Sequence, residues 1–259
     1  MHRTEVGPHI VQQADARLPS SYRSVLGTQR AALLHADPPY CLLVRRNKRG
    51  QRRDPKRSKL NHSAVTRYED VAAYRRFTEA WLLPAAAQLE DDGHAIVWTN
   101  LLGQQPILDV AAQAGLVHHG IYRWAKVGRQ GNIGEQVARL YEVALVFGRG
   151  PAPALGPDDR CPPQACISGF DDDGEGDRWE RHPNHKAFHV LEPLLRYWSR
   201  PGGLVLEPFS GSGSTAAAAV RLGRVARALE LRATWAEVSG RRLEATAADC
   251  GRSDASAPG

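Results

Sequence analysis

The sequence predicts an α/β fold in which a mostly parallel sheet of about seven strands carries helices on both faces. Three observations lead to this prediction. Short apolar runs alternate with stretches of helical periodicity along most of the chain. Two of the apolar runs stop abruptly, one at a pair of prolines and the other at a glycine-rich turn. The chain has 259 residues, which is enough for one large domain with its own core.

The first half of the chain is predicted to alternate between strands and helices. The strands are 9–15, 31–36 and 94–100, and the helices are 71–89 and 109–116. The first strand ends in Asp15. Pro84 lies inside the longer helix and is expected to kink or split it.

The second half contains a predicted hairpin, a long connection and a final α/β unit. The β runs "HHGIYRWAKV" and "LYEVALVFG" are joined by the glycine-rich "GRQGNIG". Residues 150–181 are rich in Pro, Gly and Asp and are expected to form a long loop or a small lobe. The expected elements that follow are a helix over 182–199, a strand ending "LVLEP", the helix "TAAAAVRLG", a strand over 224–231 and a last helix beginning at Ala233. We therefore predict a single domain over 1–250 and a disordered tail over 251–259.

Composition restricts the class of protein. The chain is 24% charged and 42% hydrophobic, and no apolar run approaches the roughly 18 residues that span a bilayer. The start, "MHRTEVGPHIVQQ", lacks the apolar middle of a signal peptide. Four scattered cysteines show no disulfide-scaffold pattern. A soluble protein of the reducing cytoplasm, with no membrane partner, is expected.

The net charge of +6 is concentrated in one segment. Residues 45–59, "RRNKRGQRRDPKRSK", carry nine Lys or Arg and one Asp, or +8, so the rest of the chain sums to −2. Such a density favours a polyanionic partner over an ordinary solvated loop. The cations predicted to contact nucleic acid are Arg45, Arg46, Lys48, Arg49, Arg52, Arg53, Lys56, Arg57 and Lys59.

The first abrupt corner is "DPPY", Asp37 to Tyr40, directly after the apolar strand 31–36. Proline cannot continue a strand ladder, so this corner should lie at the carboxyl end of a strand, where open α/β sheets bind ligands. An ordinary Asp-Pro turn is the alternative interpretation.

The second corner is "FSGSGS", between the strand "LVLEP" and an alanine-rich helix. Gly211 and Gly213 allow close approach of the backbone to a ligand, and Ser214 or Thr215 can cap the helix. A later strand ends in Glu230, whose carboxylate can accept hydrogen bonds from ribose hydroxyls. This pattern indicates a nucleoside cofactor, with a dinucleotide site or a plain strand-to-helix turn as alternatives.

Together the two corners resemble the DNA amino-methyltransferases, which modify adenine N6 or cytosine N4. "DPPY" is similar to their catalytic motif and "EPFSGSGST" to their cofactor motif, and the order of the two is that of the permuted beta class. "RWAKVG", "RLYEVALVFGRG" and "HPNHKAFHVLEPLLRYWSRPGGLVLEPFSGSGST" extend the similarity over about residues 9–245. The resemblance implies a Rossmann-like, circularly permuted S-adenosylmethionine-dependent methyltransferase fold, with S-adenosyl-L-methionine as cofactor and double-stranded DNA as substrate.

Three positions depart from the usual family pattern. Glu207 stands where Asp is common, Ala187 where Pro often follows the Lys of "HPNHK", and Cys41 where Asn usually follows the catalytic Tyr. These departures concern the fine geometry of the cofactor site.

The resemblance also assigns roles to individual residues. The catalytic residues would be Asp37, Pro38, Pro39 and Tyr40. The cofactor-binding residues would be Asp15, His182, Lys186, Glu207, Phe209, Gly211, Gly213, Ser214, Thr215 and Glu230. Among them, Asp15 would bind the adenine amino group of the cofactor, and His182 and Lys186 its methionine carboxylate. A turn aspartate and a surface or N-cap histidine are the simpler interpretations of Asp15 and His182.

We expect adenine as the target base, because the cytosine-N4 enzymes more often have Ser where Asp37 stands. Cytosine N4 is the alternative within the class, and a non-catalytic nucleic-acid-binding protein or an RNA methyltransferase is the alternative outside it. A homodimer, a cognate restriction endonuclease and association with the nucleoid are compatible with the resemblance. The target-recognition segment is not identified by it, and residues 45–68 and 150–181 are the candidates.

Three weaker patterns have simpler explanations. Cys161 and Cys166, with His182 and His185, fit no standard zinc spacing, so we expect no metal. The tryptophans at positions 98, 124 and 198 lie in apolar elements and are expected in the core. The acidic run 171–177 is expected to face solvent or to fold over the basic segment.

Overall fold

A computed structural model describes most of the chain. It covers residues 2–41, 70–126, 141–152, 161–168, 173–180, 182 and 185–255. The predicted basic segment 45–59, the joining residues of the predicted hairpin and much of 150–181 lie outside the described residues.

The described elements alternate between strands and helices, as predicted. The strands are β1 (Arg3–Val6), β2 (His9–Gln13), β3 (Ala31–Ala36), β4 (Leu89–Thr99), β5 (Val117–Lys126), β6 (Tyr141–Gly148), β7 (Ala165–Ser168), β8 (Leu204–Glu207) and β9 (Val225–Glu230). The helices are α1 (Pro19–Leu26), α2 (Val71–Ala86), α3 (Gln104–Gln113), α4 (Glu175–Arg178), α5 (Phe188–Trp198), α6 (Ser214–Arg221) and α7 (Ala233–Ala255), with a 3₁₀ turn at Leu101–Gly103.

In the described part of the chain, nine strands form one mixed sheet in the order β1-β2-β9-β8-β3-β4-β6-β5-β7. The five strands β2, β9, β8, β3 and β4 are mutually parallel. β6 runs antiparallel between β4 and β5, so the predicted pairing of the two β runs is present. The carboxyl ends of the five parallel strands therefore lie at one edge of the sheet.

The core lies on both faces of this sheet. One cluster of buried side chains packs the helices α1, α2 and α3 against it, and a second packs α5, α6 and part of α7. The central strand β3 is buried at every position, as expected for a strand covered on both faces. Trp98, Trp124 and Trp198 are buried, which confirms their predicted place in the core.

The structure corrects several predicted boundaries. The sheet has more strands than the seven expected, because β1 and β7 are four-residue edge strands without a long apolar run. α1 was not predicted. α2 continues through Pro84 to Ala86, because the proline falls in the last turn of the helix. The final helix runs past residue 250 to Ala255, so the start of the predicted disordered tail is helical.

The helix predicted over 182–199 begins only at Phe188. Before it, His185 and Lys186 are buried in non-helical backbone, and their side chains contact the two corners described below. Within the described ranges, no helix has both the length and the apolar character needed to cross a bilayer.

Candidate active site

Polar side chains collect at the carboxyl edge of the five parallel strands. The residues at or just beyond these strand ends are Asp15, Glu230, Glu207, Asp37 and Asn100, in the order of the strands across the sheet. β3 and β8 are direct neighbours, with Leu34 paired to Leu206. The "DPPY" corner and the glycine-rich turn therefore lie side by side.

A cavity opens between these two corners. The predicted site residues that line it are Asp15, Asp37, Pro39, His182, Lys186, Glu207, Phe209, Gly211, Ser214, Thr215 and Glu230. Pro38, Tyr40 and Gly213 are not part of its lining. The geometry thus joins most of the predicted catalytic and cofactor residues in one space.

The Asp37 carboxylate forms an ion pair with a buried lysine, Lys186. Lys186 Nζ lies 2.5 Å from Asp37 Oδ2 and 3.3 Å from Glu142 Oε2, and it sits 4.6 Å above the ring centroid of Trp98. The Tyr40 hydroxyl donates to Glu142 Oε2 at 3.0 Å. The Lys186 ammonium thus contacts the "DPPY" corner, whereas the resemblance implies a role toward the methionine carboxylate.

The second carboxylate oxygen of Asp37 is open. Oδ1 is buried and accepts no well-formed hydrogen bond from the residues that the structure describes. The Tyr40 hydroxyl, which donates to Glu142, lies close enough to the Asp37 carboxylate to oppose the rise of its pKa. A buried acceptor without a donor is costly, so this atom is the natural contact for an N–H group of a ligand.

Burial and charge act in opposite directions on this cluster. Burial raises the pKa of the Asp37 carboxyl, the Lys186 ammonium opposes that rise, and the Glu142 carboxylate adds to it. Burial lowers the pKa of Lys186, but the two carboxylates outweigh it and leave that pKa above its ordinary value. Lys186 is therefore a cation at neutral pH. One ammonium and two carboxylates carry a net charge of −1 when all three are ionised.

Glu207 organises the start of the helix after the glycine-rich turn. Its Oε2 accepts the backbone N–H of Ala216 at 3.1 Å, in the first turn of α6. Burial raises the pKa of Glu207 to about 8, opposed by hydrogen bonds from the Thr215 hydroxyl and the Ala216 N–H. The residue thus both lines the cavity and satisfies an N–H group at the helix start.

Glu230 connects the end of β9 to the same turn. Its two carboxylate oxygens accept from Gly211 N at 2.8 Å and Arg232 N at 2.9 Å. Each oxygen keeps a second lone pair, so the carboxylate can still accept from a ligand. Burial raises the pKa of Glu230, against the effect of these backbone N–H groups.

Asp15 forms a local pair with Arg17. The two side chains approach to 2.6 Å, and the Arg17 backbone N–H also donates to Asp15 Oδ1 at 2.9 Å. The hydrogen bond from the Arg17 side chain is the main reason that the pKa of Asp15 is lowered. Asp15 therefore has the features of a turn aspartate while it also lines the cavity.

The two glycines of the turn have different neighbours. Both have positive φ, +51° at Gly211 and +77° at Gly213. A Cβ on Gly211 would approach the His182 ring to 2.8 Å, and one on Gly213 would approach Ser239 Oγ of α7 to 2.6 Å. Gly211 faces the cavity lining, whereas Gly213 allows α7 to pack closely behind the turn.

Aromatic side chains form flat walls of the cavity. Phe209 packs edge-on against Trp81 at 5.1 Å between ring centroids, and it also contacts Phe77. His182 packs edge-on against Trp235 at 4.5 Å. Burial lowers the pKa of His182 to about 4, so this ring is neutral at neutral pH.

Where the structure describes it, the acidic run is largely exposed but makes specific contacts with α5 and α7. Buried Arg242 of α7 donates to Glu175 Oε2 at 3.0 Å and to Ser214 Oγ at 3.1 Å. Asp173 accepts the Phe188 N–H at 2.7 Å and lies 3.8 Å from His185. Through Glu175 and Arg242 the segment is therefore connected to the first residue of α6, while Asp173 and Asp177 are exposed as expected.

Several cavity and network residues were not indicated by the sequence. His35, Phe77 and Trp235 line the cavity, and Glu142 bridges Lys186 and Tyr40. None of these four residues lies in a recognisable motif. The order of the strands brings His35 and Glu142 to the site, and the packing of helices brings Phe77 and Trp235 there. The four cysteines are free. No metal-binding cluster of His, Cys, Asp and Glu occurs among the described residues.

The fold is shared with solved DNA methyltransferases. The M1.HpyAVI–SAM complex matches with a TM-score of 0.64 at 18% identity, over 89% of this chain and 97% of that one. PvuII DNA methyltransferase (cytosine-N4-specific) matches with a TM-score of 0.62 at 14% identity, over 93% and 90% of the two chains. These likenesses confirm the predicted Rossmann-like methyltransferase fold.

Sequence similarity to curated proteins is local. DNA adenine methyltransferase YhdJ of Escherichia coli (strain K12) is 35% identical over 68 residues, which are 26% of this chain and 23% of YhdJ. Type II methyltransferase M2.DpnII of Streptococcus pneumoniae is 33% identical over 70 residues, 27% of this chain and 26% of that protein. The matches thus span about a quarter of each of these relatives. The family model described as DNA methylase (N6_N4_Mtase) matches residues 31–239, and the chain therefore belongs to the N6/N4 DNA methylase family.

Proposed function

We propose that this protein is an S-adenosyl-L-methionine-dependent DNA methyltransferase that modifies adenine N6 of an everted base. The observation that carries this proposal is the open, buried Oδ1 of Asp37 in a cavity shared with the glycine-rich turn. In this proposal, Asp37 would accept the target amino group and the glycine-rich turn would bind the nucleoside of the cofactor, and both line the same cavity.

The cavity lining fits S-adenosyl-L-methionine. Carboxylates at Asp15 and Glu230 can accept from an adenine amino group and from ribose hydroxyls, and the Phe209 ring offers an apolar wall. Bound there, the cofactor would supply a methyl group on a positively charged sulfur. M1.HpyAVI, whose fold is shared, was solved as a SAM complex. The proposed cofactor residues are those predicted from the sequence, except that Gly213 would act through helix packing and Lys186 through Asp37.

The "DPPY" corner would orient the target amino group. An exocyclic amino group is a weak nucleophile because its lone pair is delocalised into the ring. Asp37 Oδ1 can accept one of its N–H groups and the Pro38 carbonyl the other, which aims the lone pair at the methyl carbon. Positive charge develops on the nitrogen during transfer, and the net −1 charge of Asp37, Lys186 and Glu142 stabilises it.

The reaction also releases a proton. As the nitrogen bonds to the methyl carbon, the carbon–sulfur bond of the donor would break and its electron pair would stay on sulfur, which becomes neutral. The nitrogen must then lose one of its hydrogens to become neutral. Asp37 Oδ1 is placed to receive that proton, and Lys186 on Oδ2 favours the ionised carboxylate that is ready to accept it.

The target base must leave the duplex to reach this corner, because its amino group is buried in the helix stack. We propose that Tyr40 stacks on the everted base, with its hydroxyl held by Glu142. The basic segment 45–59 would contact DNA phosphates. That segment lies outside the described residues, so its DNA-binding role comes from the sequence alone.

Adenine is favoured over cytosine by the carboxylate at position 37 and by the similarity to YhdJ, which is called a DNA adenine methyltransferase. Cytosine N4 is the second candidate, because the fold is also shared with the cytosine-N4-specific PvuII enzyme.

The test is methyl transfer from tritiated S-adenosyl-L-methionine to duplex DNA, followed by chromatography of the nucleosides. Label in N6-methyldeoxyadenosine supports the proposal, and label in N4-methyldeoxycytidine selects the second candidate. Label only in an RNA control would identify an RNA methyltransferase. The absence of label from every nucleic acid, with S-adenosyl-L-methionine bound, would leave a binding protein. A homodimer, a cognate restriction endonuclease and association with the nucleoid stay predictions from the resemblance.

A further inference from the structure

His35 is a buried histidine inside the sheet, between the two corners of the site. It is 1% exposed and lies in β3, two residues before Asp37. Its Nε2 lies 2.9 Å from Trp98 Nε1 of β4, and its Nδ1 lies 3.0 Å from Thr215 Oγ1 of α6. One imidazole therefore contacts the strand beside the catalytic corner and the first turn of the cofactor helix.

The partners fix which nitrogen of His35 carries the proton. An indole N–H can only donate, so Nε2 must accept from Trp98. Burial and the nearby Lys186 lower the pKa of His35 to about 3, so the ring is neutral and its one proton is on Nδ1. Nδ1–H therefore donates to Thr215 Oγ1. The Thr215 hydroxyl, having accepted this bond, directs its own proton elsewhere, and Glu207 is one acceptor whose pKa it lowers.

The same indole also supports the catalytic cluster. Lys186 Nζ sits above the face of Trp98 while the edge of that ring donates to His35. A continuous series of contacts thus runs from Asp37 through Lys186, Trp98 and His35 to Thr215.

We propose that His35 is a positioning residue that fixes the hydroxyl orientation of Thr215 and thereby the cofactor turn relative to Asp37. This inference rests on the proposed function, because Thr215 is taken to contact the cofactor. The residue acts through Thr215 and touches no reacting atom. Without the N–H donor, the hydroxyl would keep only its contact with Glu207 and could turn to other staggered positions, so cofactor binding would have to order it.

Two amide variants separate the two hydrogen bonds of His35. The side chain of His35→Asn places an N–H₂ group near the position of Nδ1 and can still donate to Thr215, while it no longer reaches Trp98. The longer side chain of His35→Gln places its oxygen near the position of Nε2 and can still accept from Trp98, while it no longer donates to Thr215. Each variant removes one buried hydrogen bond, so thermal denaturation should show similar decreases in stability.

The measurement is the Kd of S-adenosyl-L-methionine by titration calorimetry. We expect His35→Asn to bind within about threefold of wild type and His35→Gln to bind about tenfold more weakly, the effect of one hydrogen bond. In a Thr215→Val background, which lacks the hydroxyl, the difference between the two variants should vanish. Equal affinities of the two variants, or weaker binding by His35→Asn, would overturn the positioning role.

A third comparison avoids changes to His35. Thr215→Ser keeps a hydroxyl for His35 to orient, and Thr215→Val does not, so only Thr215→Val should weaken cofactor binding. Equal affinities of these two variants would also overturn the inference. If the wild-type protein binds no S-adenosyl-L-methionine, the proposed function itself fails. If wild type binds and the variants do not separate, only the role of His35 fails.

Discussion

Lys186 Nζ lies 2.5 Å from Asp37 Oδ2, although 149 residues separate the two in the chain. The contact forms because the segment before α5 crosses the carboxyl edge of β3. The contact connects the segment that leads to the glycine-rich turn with the "DPPY" corner. The ammonium contacts one carboxylate oxygen, and under the proposed function the other would accept the target amino group.

This contact predicts opposite pH shifts in two variants. Lys186→Met removes the ammonium that lowers the pKa of Asp37, so that pKa rises and the acidic limb of the kcat profile moves to higher pH. Glu142→Gln removes a carboxylate that raises the same pKa, so the limb moves to lower pH. A shift of about one pH unit or more is expected for Lys186→Met, measured as kcat against pH with saturating DNA. Shifts in the same direction for both variants would mean that Asp37 does not control the limb.

Glu207 predicts a pH dependence of stability. Its pKa is about 8 in the folded state and about 4.3 in an unfolded chain, so the folded state binds more protons between these values. The free energy of unfolding therefore falls as pH rises through this window, by at most about 1.4 kcal/mol per pH unit from this group. Glu207→Gln should flatten the fall, as measured by urea unfolding from pH 5 to pH 8.

The control for Glu207 is Glu237→Gln, at an exposed position of α7. This variant should keep the wild-type dependence on pH. If the free energy of unfolding of Glu207→Gln falls as steeply with pH as that of wild type, the carboxyl of Glu207 is not the group whose ionisation destabilises the fold at high pH.

Gly213 and Gly202 form a matched pair for the packing of α7. Both have positive φ, but a Cβ at Gly202 would meet no atom within 4 Å, whereas one at Gly213 would press on Ser239. Gly202→Ala should reduce the free energy of unfolding by about 1 kcal/mol from backbone strain alone. Gly213→Ala should reduce it by at least about 1 kcal/mol more, because the backbone of α7 must move. Equal reductions in thermal or urea unfolding would show that the close packing behind the turn is not needed.

The basic segment predicts a salt-dependent affinity for DNA. Neutralising Arg45, Arg46, Arg52 and Arg53 with Gln should weaken binding to any duplex sequence. It should also reduce the slope of log K against log salt by up to about 0.9 for each DNA phosphate that the segment no longer neutralises. Fluorescence anisotropy at several salt concentrations measures the slope. A slope equal to that of wild type would mean that the basic segment does not contact DNA phosphates.

The two corners of the site could be predicted because their signals are local. β3 is a run of apolar residues ended by prolines, and β8 leads directly into glycines and a helix. Two further acidic residues, Asp15 and Glu230, stand at or just after the ends of apolar strands. Parallel strands then place all of these ends at one edge, so a local pattern is sufficient to locate the site.

The connections between the corners could not be predicted, because they depend on the order of strands across the sheet. Glu142 reaches Lys186 only because β6 lies beside β4, and His35 reaches Trp98 only because β4 lies beside β3. Nothing in the residues around Glu142 or His35 distinguishes them from other strand positions. The edge strands β1 and β7 were not predicted for a related reason, since short, half-exposed strands leave no long apolar run.

The most direct test of the account compares methyl transfer and cofactor binding in Asp37→Ala. Transfer from tritiated S-adenosyl-L-methionine to duplex DNA should fall by at least about 10²-fold, because the proposed acceptor for the amino group is removed. The cofactor should still bind within about threefold of wild type, because its proposed contacts lie at the other corner of the cavity. Asp91→Ala, at an exposed carboxylate outside the cavity, is the control and should retain full activity. Near-normal turnover by Asp37→Ala would contradict the claim that this carboxylate orients the target amino group.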